Sequence, residues 1–169
     1  MHTLQYIAIQ SENKETAAND VETLLNEELN PGHSWYDWFV VGGGRFSKSE
    51  DPYQDTFETV ISYEDTPDIF NEVVADCLTA RGKEFQELLT EFKQSETNLV
   101  EMFENYKGGI EFSMNLYPVK KMIDIMQGAW DYTCRFYDLN SWSSDTHHMN
   151  RSLADGNKNW FLVPIDFHF

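Results

Sequence analysis

Leu4-Gln5-Tyr6-Ile7-Ala8-Ile9, followed closely by Lys14 to Leu29, sets a strand directly before a helix. The first run reads as extended, apolar chain. In the second, Ala17, Val21, Leu24, Leu25 and Leu29 recur on one face at helical spacing, with Asn13 placed to cap the helix. Pro31-Gly32 ends it. A strand joined to an amphipathic helix needs further strands to pair with, and the rest of the chain supplies them.

Trp35 to Val41 reads as a second strand, broken by Gly42-Gly43-Gly44. Thr56 to Tyr63 alternates, with Phe57, Thr59, Ile61 and Tyr63 on one side, and predicts a third. Thr66-Pro67 is a helix start, because proline suits the first helical position. That helix carries Ile69, Phe70, Val73, Val74, Cys77 and Leu78 and is expected to stop near Gly82. A second helix is predicted from Lys83 to Tyr106, with Phe85, Leu88, Leu89, Phe92, Leu99, Met102, Phe103 and Tyr106 in one stripe.

Ile110 to Tyr117 alternates as a strand, Val119 to Gln127 reads as a short helix, and Trp130 to Phe136 as another strand. Asn140 to Asn159 is rich in Ser, Asn and Asp and is expected to be a loop. Trp160 to Phe169 closes the chain as a strand, which Pro164 would place at an edge or a bulge. The order is β-α-β-β-α-α-β-α-β-β. It predicts one α+β domain over residues 1–169, a mainly antiparallel sheet covered by helices on one face.

Size and composition agree with this. A chain of 169 residues with 41% hydrophobic and 15% aromatic content can bury a sizeable core. Disordered chains lack such residues. No stretch has the apolar length of a membrane span, and Met1-His2-Thr3-Leu4-Gln5 has no basic leader, so a cytoplasmic protein is expected. Cys77 and Cys134 stand alone and read as reduced, buried thiols.

The formal charge is −17 and uneven: up to Tyr106 there are 22 acids against 6 bases, and from Lys107 onward 7 against 6. Such a field repels nucleic acid and anionic membrane and attracts basic protein surfaces. The same charge also serves plain solubility. Glu84, Glu87 and Glu91, with Glu101 and Glu104 further along, are expected to share one exposed helix face, which would be the partner-binding surface.

The most unusual segment is Trp35-Tyr36-Asp37-Trp38-Phe39-Val40-Val41-Gly42-Gly43-Gly44-Arg45-Phe46. Its glycines predict a bulge or turn at the end of a buried strand. A phosphate loop would instead continue into a helix with a Lys-Ser/Thr pair. Asp37 is placed to pair with Arg45, and Trp38 to stack on it. The segment resembles one found in small, mostly uncharacterised phage and bacterial proteins. There it runs Asp-Trp-(Phe or Tyr)-x-(Ile or Val)-Gly-Gly-Arg-(Trp or Phe), often with a terminal strand holding Asp and His. The matching residues are Asp37, Trp38, Phe39, Val41, two glycines, Arg45, Phe46, Asp166 and His168. The third glycine departs from the pattern. The resemblance covers about a tenth of the chain, implies a phage origin and brings no activity with it.

Other constellations are sparser. Asp166 and His168 share a strand face, so that Asp166 could orient His168 as a general base or simply form an edge pair. His147-His148 would need further ligands to hold a metal, and no metal or cofactor is expected. No nucleophile motif is present. The leading expectation is a non-enzymatic, acidic, phage-type protein that inhibits a bacterial host factor of the defence or nucleic-acid-processing kind by occupying a basic surface, within the host cytoplasm. The alternative is a small-molecule, nucleotide-like enzyme or sequestering protein. Its pocket would be lined by Trp35, Asp37, Trp38, Arg45, Trp130, Asp166 and His168.

Overall fold

A computed structural model describes residues 1–27, 35–47, 51–94 and 117–169. The strands are β1 (His2–Gln10), β2 (Trp38–Val41), β3 (Ile61–Ser62), β4 (Phe136–Asp138) and β5 (Trp160–His168). The helices are α1 (Lys14–Glu27), α2 (Pro67–Gln94), α3 (Tyr117–Gln127) and α4 (His147–Ala154). The strand order is β2-β5-β1-β4, with β3 beside β5 on the same flank as β2. β4 runs parallel to β1 and every other pairing is antiparallel. The fold is α+β, as the element order predicts.

Helices cover both faces of the sheet rather than one. On the first face Ile7, Ile9, Val163, Ile165 and Phe167 pack against Ala17, Val21 and Leu25 of α1. On the second, Ala8, Trp160 and Leu162 pack against Phe70, Val74 and Cys77 of α2 and Met149 of α4. The terminal strand is buried on both sides because it is apolar at both phases of its alternation. α1 starts as its sequence suggests: Asn13 Oδ1 accepts the Thr16 N–H at 2.9 Å, the bond of an N-cap.

Pro164 is the main correction. It lies in the middle of the central strand, opposite Tyr6 of β1, and not at an edge. Its carbonyl accepts the Gly42 N–H at 2.8 Å, so its nitrogen faces the same flank. There β2 ends at Val41 and β3 begins only opposite Leu162. The ladder bond that proline cannot donate would go to the Gly42 carbonyl. The Thr59 hydroxyl donates to that carbonyl instead, at 2.9 Å. A proline is tolerated centrally because a side chain fills its missing bond.

That arrangement also explains why Thr56 to Tyr63 forms only a two-residue strand, Ile61–Ser62. Thr56 N–H bonds the Val41 carbonyl and Val60 N–H bonds the Phe57 carbonyl, so the segment's polar groups serve a turn beside the glycines. The two helices expected to meet at Gly82 are one, α2, which runs through it. Phe70, Val74, Cys77 and Leu88 continue one buried stripe across the glycine, and this outweighs the roughly 1 kcal/mol that a helical glycine costs. The polar Asn140–Asn159 stretch holds α4, at whose start Asp145 Oδ1 accepts the His147 N–H at 2.8 Å. Of the strand expected from Trp130 to Phe136, only Phe136 is extended, at the start of β4. Tyr117 belongs to α3. The strand expected over residues 110–116, and the helical stripe beyond Gln94, lie outside the described residues. Cys77 and Cys134 are buried free thiols, and burial pushes them up to about 11 and about 12.

Candidate functional site

The unusual segment and the terminal strand meet at one end of the sheet. His2, His168 and Trp38 occupy one rung across β1, β5 and β2. Their rings touch: Trp38 stacks on His168 at 5.0 Å and 9°, and His2 meets both edge-on, at 4.9 Å and 5.2 Å. One rung behind, Asp166 lies between Leu4 and Val40 with no solvent exposure.

A buried carboxylate needs donors, and Asp166 has two. His2 Nδ1 lies 2.9 Å from Oδ1, and the Arg45 backbone N–H donates to Oδ2 at 3.0 Å. The second bond depends on the glycines. Gly42, Gly43 and Gly44 all have positive φ, and they fold the chain back over β5 into a short 3₁₀ turn, Gly44–Phe46. At Gly44 a Cβ would stand 2.7 Å from Asp166 Oδ2, so only glycine allows so close an approach. The expectation of a turn at the end of a buried strand is met.

The expected pairings within the segment differ from the observed ones. Arg45 directs its guanidinium to Tyr53, 2.8 Å from the hydroxyl and 5.7 Å above the ring, rather than to Asp37 or Trp38. Asp37 Oδ2 instead lies 3.2 Å from His168 Nδ1, off the direction of a hydrogen bond. Asp166 holds His2 rather than His168. No local signal reveals His2, because 164 residues separate it from Asp166. Only the antiparallel register of the first and last strands brings them together.

The seven-residue aromatic pocket is not formed. Trp38, Asp166 and His168 lie on one face of the sheet. Trp35 and Trp130 lie on the other, where their rings surround Phe167 at 4.8 Å and 6.0 Å. Trp130 Nε1 donates to Gln5 Oε1 at 2.9 Å, which marks it as a core ring. Compared with known families, with curated proteins and with solved structures, the chain matches none. The site therefore rests on its own geometry.

Beside the His2 rung, a groove of about 440 Å³ runs between β1 and α2. His2, Leu4, Phe46, Val73, Cys77 and Arg135 are among its lining residues. The Cys77 thiol, pushed up to about 11 by burial, stays protonated near neutrality and is a poor nucleophile.

A second carboxylate–imidazole pair stands at the end of β4. Buried Asp138 accepts the Asn140 and Ser141 N–H groups, and its other oxygen lies 3.0 Å from His148 Nδ1. His147 turns instead to Arg151, so the adjacent histidines diverge. Among the described residues, no group of three or more His, Cys, Asp or Glu side chains is placed to hold a metal.

The glutamates of the acidic face separate. Glu87 and Glu91 are exposed on α2, and Glu87 faces Lys83 at 3.8 Å. Glu84 is only partly exposed. Burial raises its carboxyl above the usual range, against the opposing pull of Arg135, Lys121 and Arg81. It belongs to an inward charge cluster in which Lys121 Nζ bonds Asp131 Oδ2 at 2.6 Å. Glu101 and Glu104 lie outside the described residues. The same helix exposes acids that the sequence reading passed over: Asp68, Glu72 and Asp76, spaced four apart.

Proposed function

We propose that the chain is a non-enzymatic, phage-type binding protein that occupies a basic surface on a bacterial host factor, of the defence or nucleic-acid-processing kind, in the host cytoplasm. The observation that carries this reading is the solvent face of α2. Asp68, Glu72, Asp76, Glu87 and Glu91 are all exposed along a helix of 28 residues. Lys83–Glu87 is the one ion pair among them in the described residues. Charges left unpaired on a rigid helix keep their field for a partner and steer its approach. Ile69, well exposed on the same side of the helix as these acids, is suited to anchor the contact once it forms. The resemblance of the Asp37–Phe46 segment to phage and bacterial proteins supports the assignment of a host target.

The test is capture of host proteins from a bacterial lysate on the immobilised chain, followed by association kinetics of a captured partner. Rates should fall steeply as salt rises. They should also fall in a variant carrying Asp68→Lys, Glu72→Lys, Glu87→Lys and Glu91→Lys, with dissociation changed much less. Salt-independent association, or undiminished binding by that variant, would remove the reading.

A further inference from the structure

We propose that the groove between β1 and α2 binds a small amphipathic monocarboxylate, with the carboxylate at Arg135 and the apolar body between Leu4, Val73 and Phe46. This site borders the acidic face of α2 and shares Asp76 with it, but neither reading depends on the other.

The size suits a small molecule, since ligand pockets begin at roughly 300 Å³ and this one holds about 440 Å³. The walls are mainly aliphatic and aromatic. Phe46 is half exposed at the lip, held there by the 3₁₀ turn that the glycines and Asp166 build. A ring fixed at the mouth of a groove by a buried carboxylate gains by being covered. The unusual glycine segment thus forms one wall of the site.

Arg135 supplies the charge. Its guanidinium has five N–H donors in a planar fork, and its one described side-chain partner is the hydroxyl of Thr3. No carboxylate among the described residues forms an ion pair with it, although the chain carries 29 acids and only 12 bases. Glu84 feels its charge but makes no close ion pair with it, so the guanidinium fork, which matches a carboxylate's two oxygens, can still take one from outside.

Two further side chains define the ligand. His2 has Nδ1 fixed on Asp166, which sets the ring plane and leaves Nε2 for another partner. Asp76 lines the groove from the exposed side of α2. Its negative charge works against a phosphate monoester's double charge more than against a carboxylate's single one.

Titration calorimetry and amide-shift mapping of the full chain with hexanoate test this, with hexanol and inorganic phosphate as comparisons. Hexanoate should bind saturably, with shifts centred on β1 and the middle of α2. Hexanol and phosphate should each bind at least about tenfold more weakly, the scale of one charged hydrogen bond. Arg135→Gln should weaken hexanoate by a similar factor. Phe46→Ser, at an exposed position where folding is not at stake, should weaken it severalfold. The proposal is overturned if hexanoate does not saturate, if hexanol or phosphate matches it, or if both variants bind as tightly as the parent chain.

Discussion

Gly44 shows how much one missing side chain decides. With φ at +46° and Asp166 Oδ2 only 2.7 Å from where its Cβ would stand, Gly44→Ala should destabilise the fold by on the order of 1–3 kcal/mol. Denaturant unfolding measures this, and an unchanged midpoint would mean that the turn can move off Asp166. Lys121 is a second decisive residue. It is buried, bonded to Asp131, and its ammonium lies 4.0 Å from the centre of the Tyr132 ring. Lys121→Met removes one partner of a mostly buried pair and should cost about 3 kcal/mol or more, since it leaves the carboxylate without its cation. The same unfolding assay reads it, and a neutral outcome would show that water reaches Asp131. Neither role is legible in the sequence. A lysine in Val119-Lys120-Lys121-Met122 looks like surface, and the third glycine looks redundant until Asp166 lies beneath it.

At the scale of elements, the sequence is most informative where periodicity is strong. The first strand, the first helix with its Asn13 cap, and the helix begun by Thr66-Pro67 are all legible, because apolar spacing follows directly from which face is buried. Boundaries set by contacts are not. Gly82 reads as a stop because glycine is a poor helix former, yet no heavy atom stands within 4 Å of the Cβ it lacks, and the buried stripe runs on. Gly82→Ala should therefore stabilise the protein by up to about 1 kcal/mol, and a loss of stability would put a real bend there. α4 escapes notice because only Met149 and Leu153 of its eight residues join the core. Pro164 reads as an edge marker because the bond supplied by Thr59 is tertiary. A double-mutant cycle tests this substitution of one bond for another. Thr59→Val should cost about 1–3 kcal/mol by leaving the Gly42 carbonyl unserved. In a Pro164→Ala background, where the backbone N–H returns, the cost should shrink. Equal costs in both backgrounds would separate the two residues.

For the whole molecule, the sheet's connectivity hides the candidate site. β4 runs parallel to β1 and the last strand takes the centre, so residues at opposite ends of the chain become neighbours. Charge, by contrast, is fully legible, and it sets a last expectation. A net charge of −17 repels itself more in the folded chain than in the expanded one. Screening shortens from roughly 30 Å at 0.01 M salt to about 8 Å at 0.15 M, so the thermal midpoint at pH 7 should rise across that range. Lowering the pH acts on the same repulsion, and protonating exposed acids should raise stability at low salt down to about pH 5. Below that Asp131 reverses the trend. Burial pushes its carboxyl up, but bonds from Lys121 and from the Thr133 hydroxyl and N–H outweigh this and hold it below the ordinary value. A carboxylate lowered in the folded state contributes stability above its unfolded pKa, near 3.9. That contribution disappears as pH falls through the folded value. The midpoint should thus pass through a maximum on the acid side of neutrality, and added salt should flatten the neutral limb while leaving the acid limb nearly intact. Thermal unfolding on a grid of pH and salt checks it. A midpoint at pH 7 indifferent to salt would mean that the acids are balanced locally, and would also weaken the case that α2 keeps its charge free for a partner.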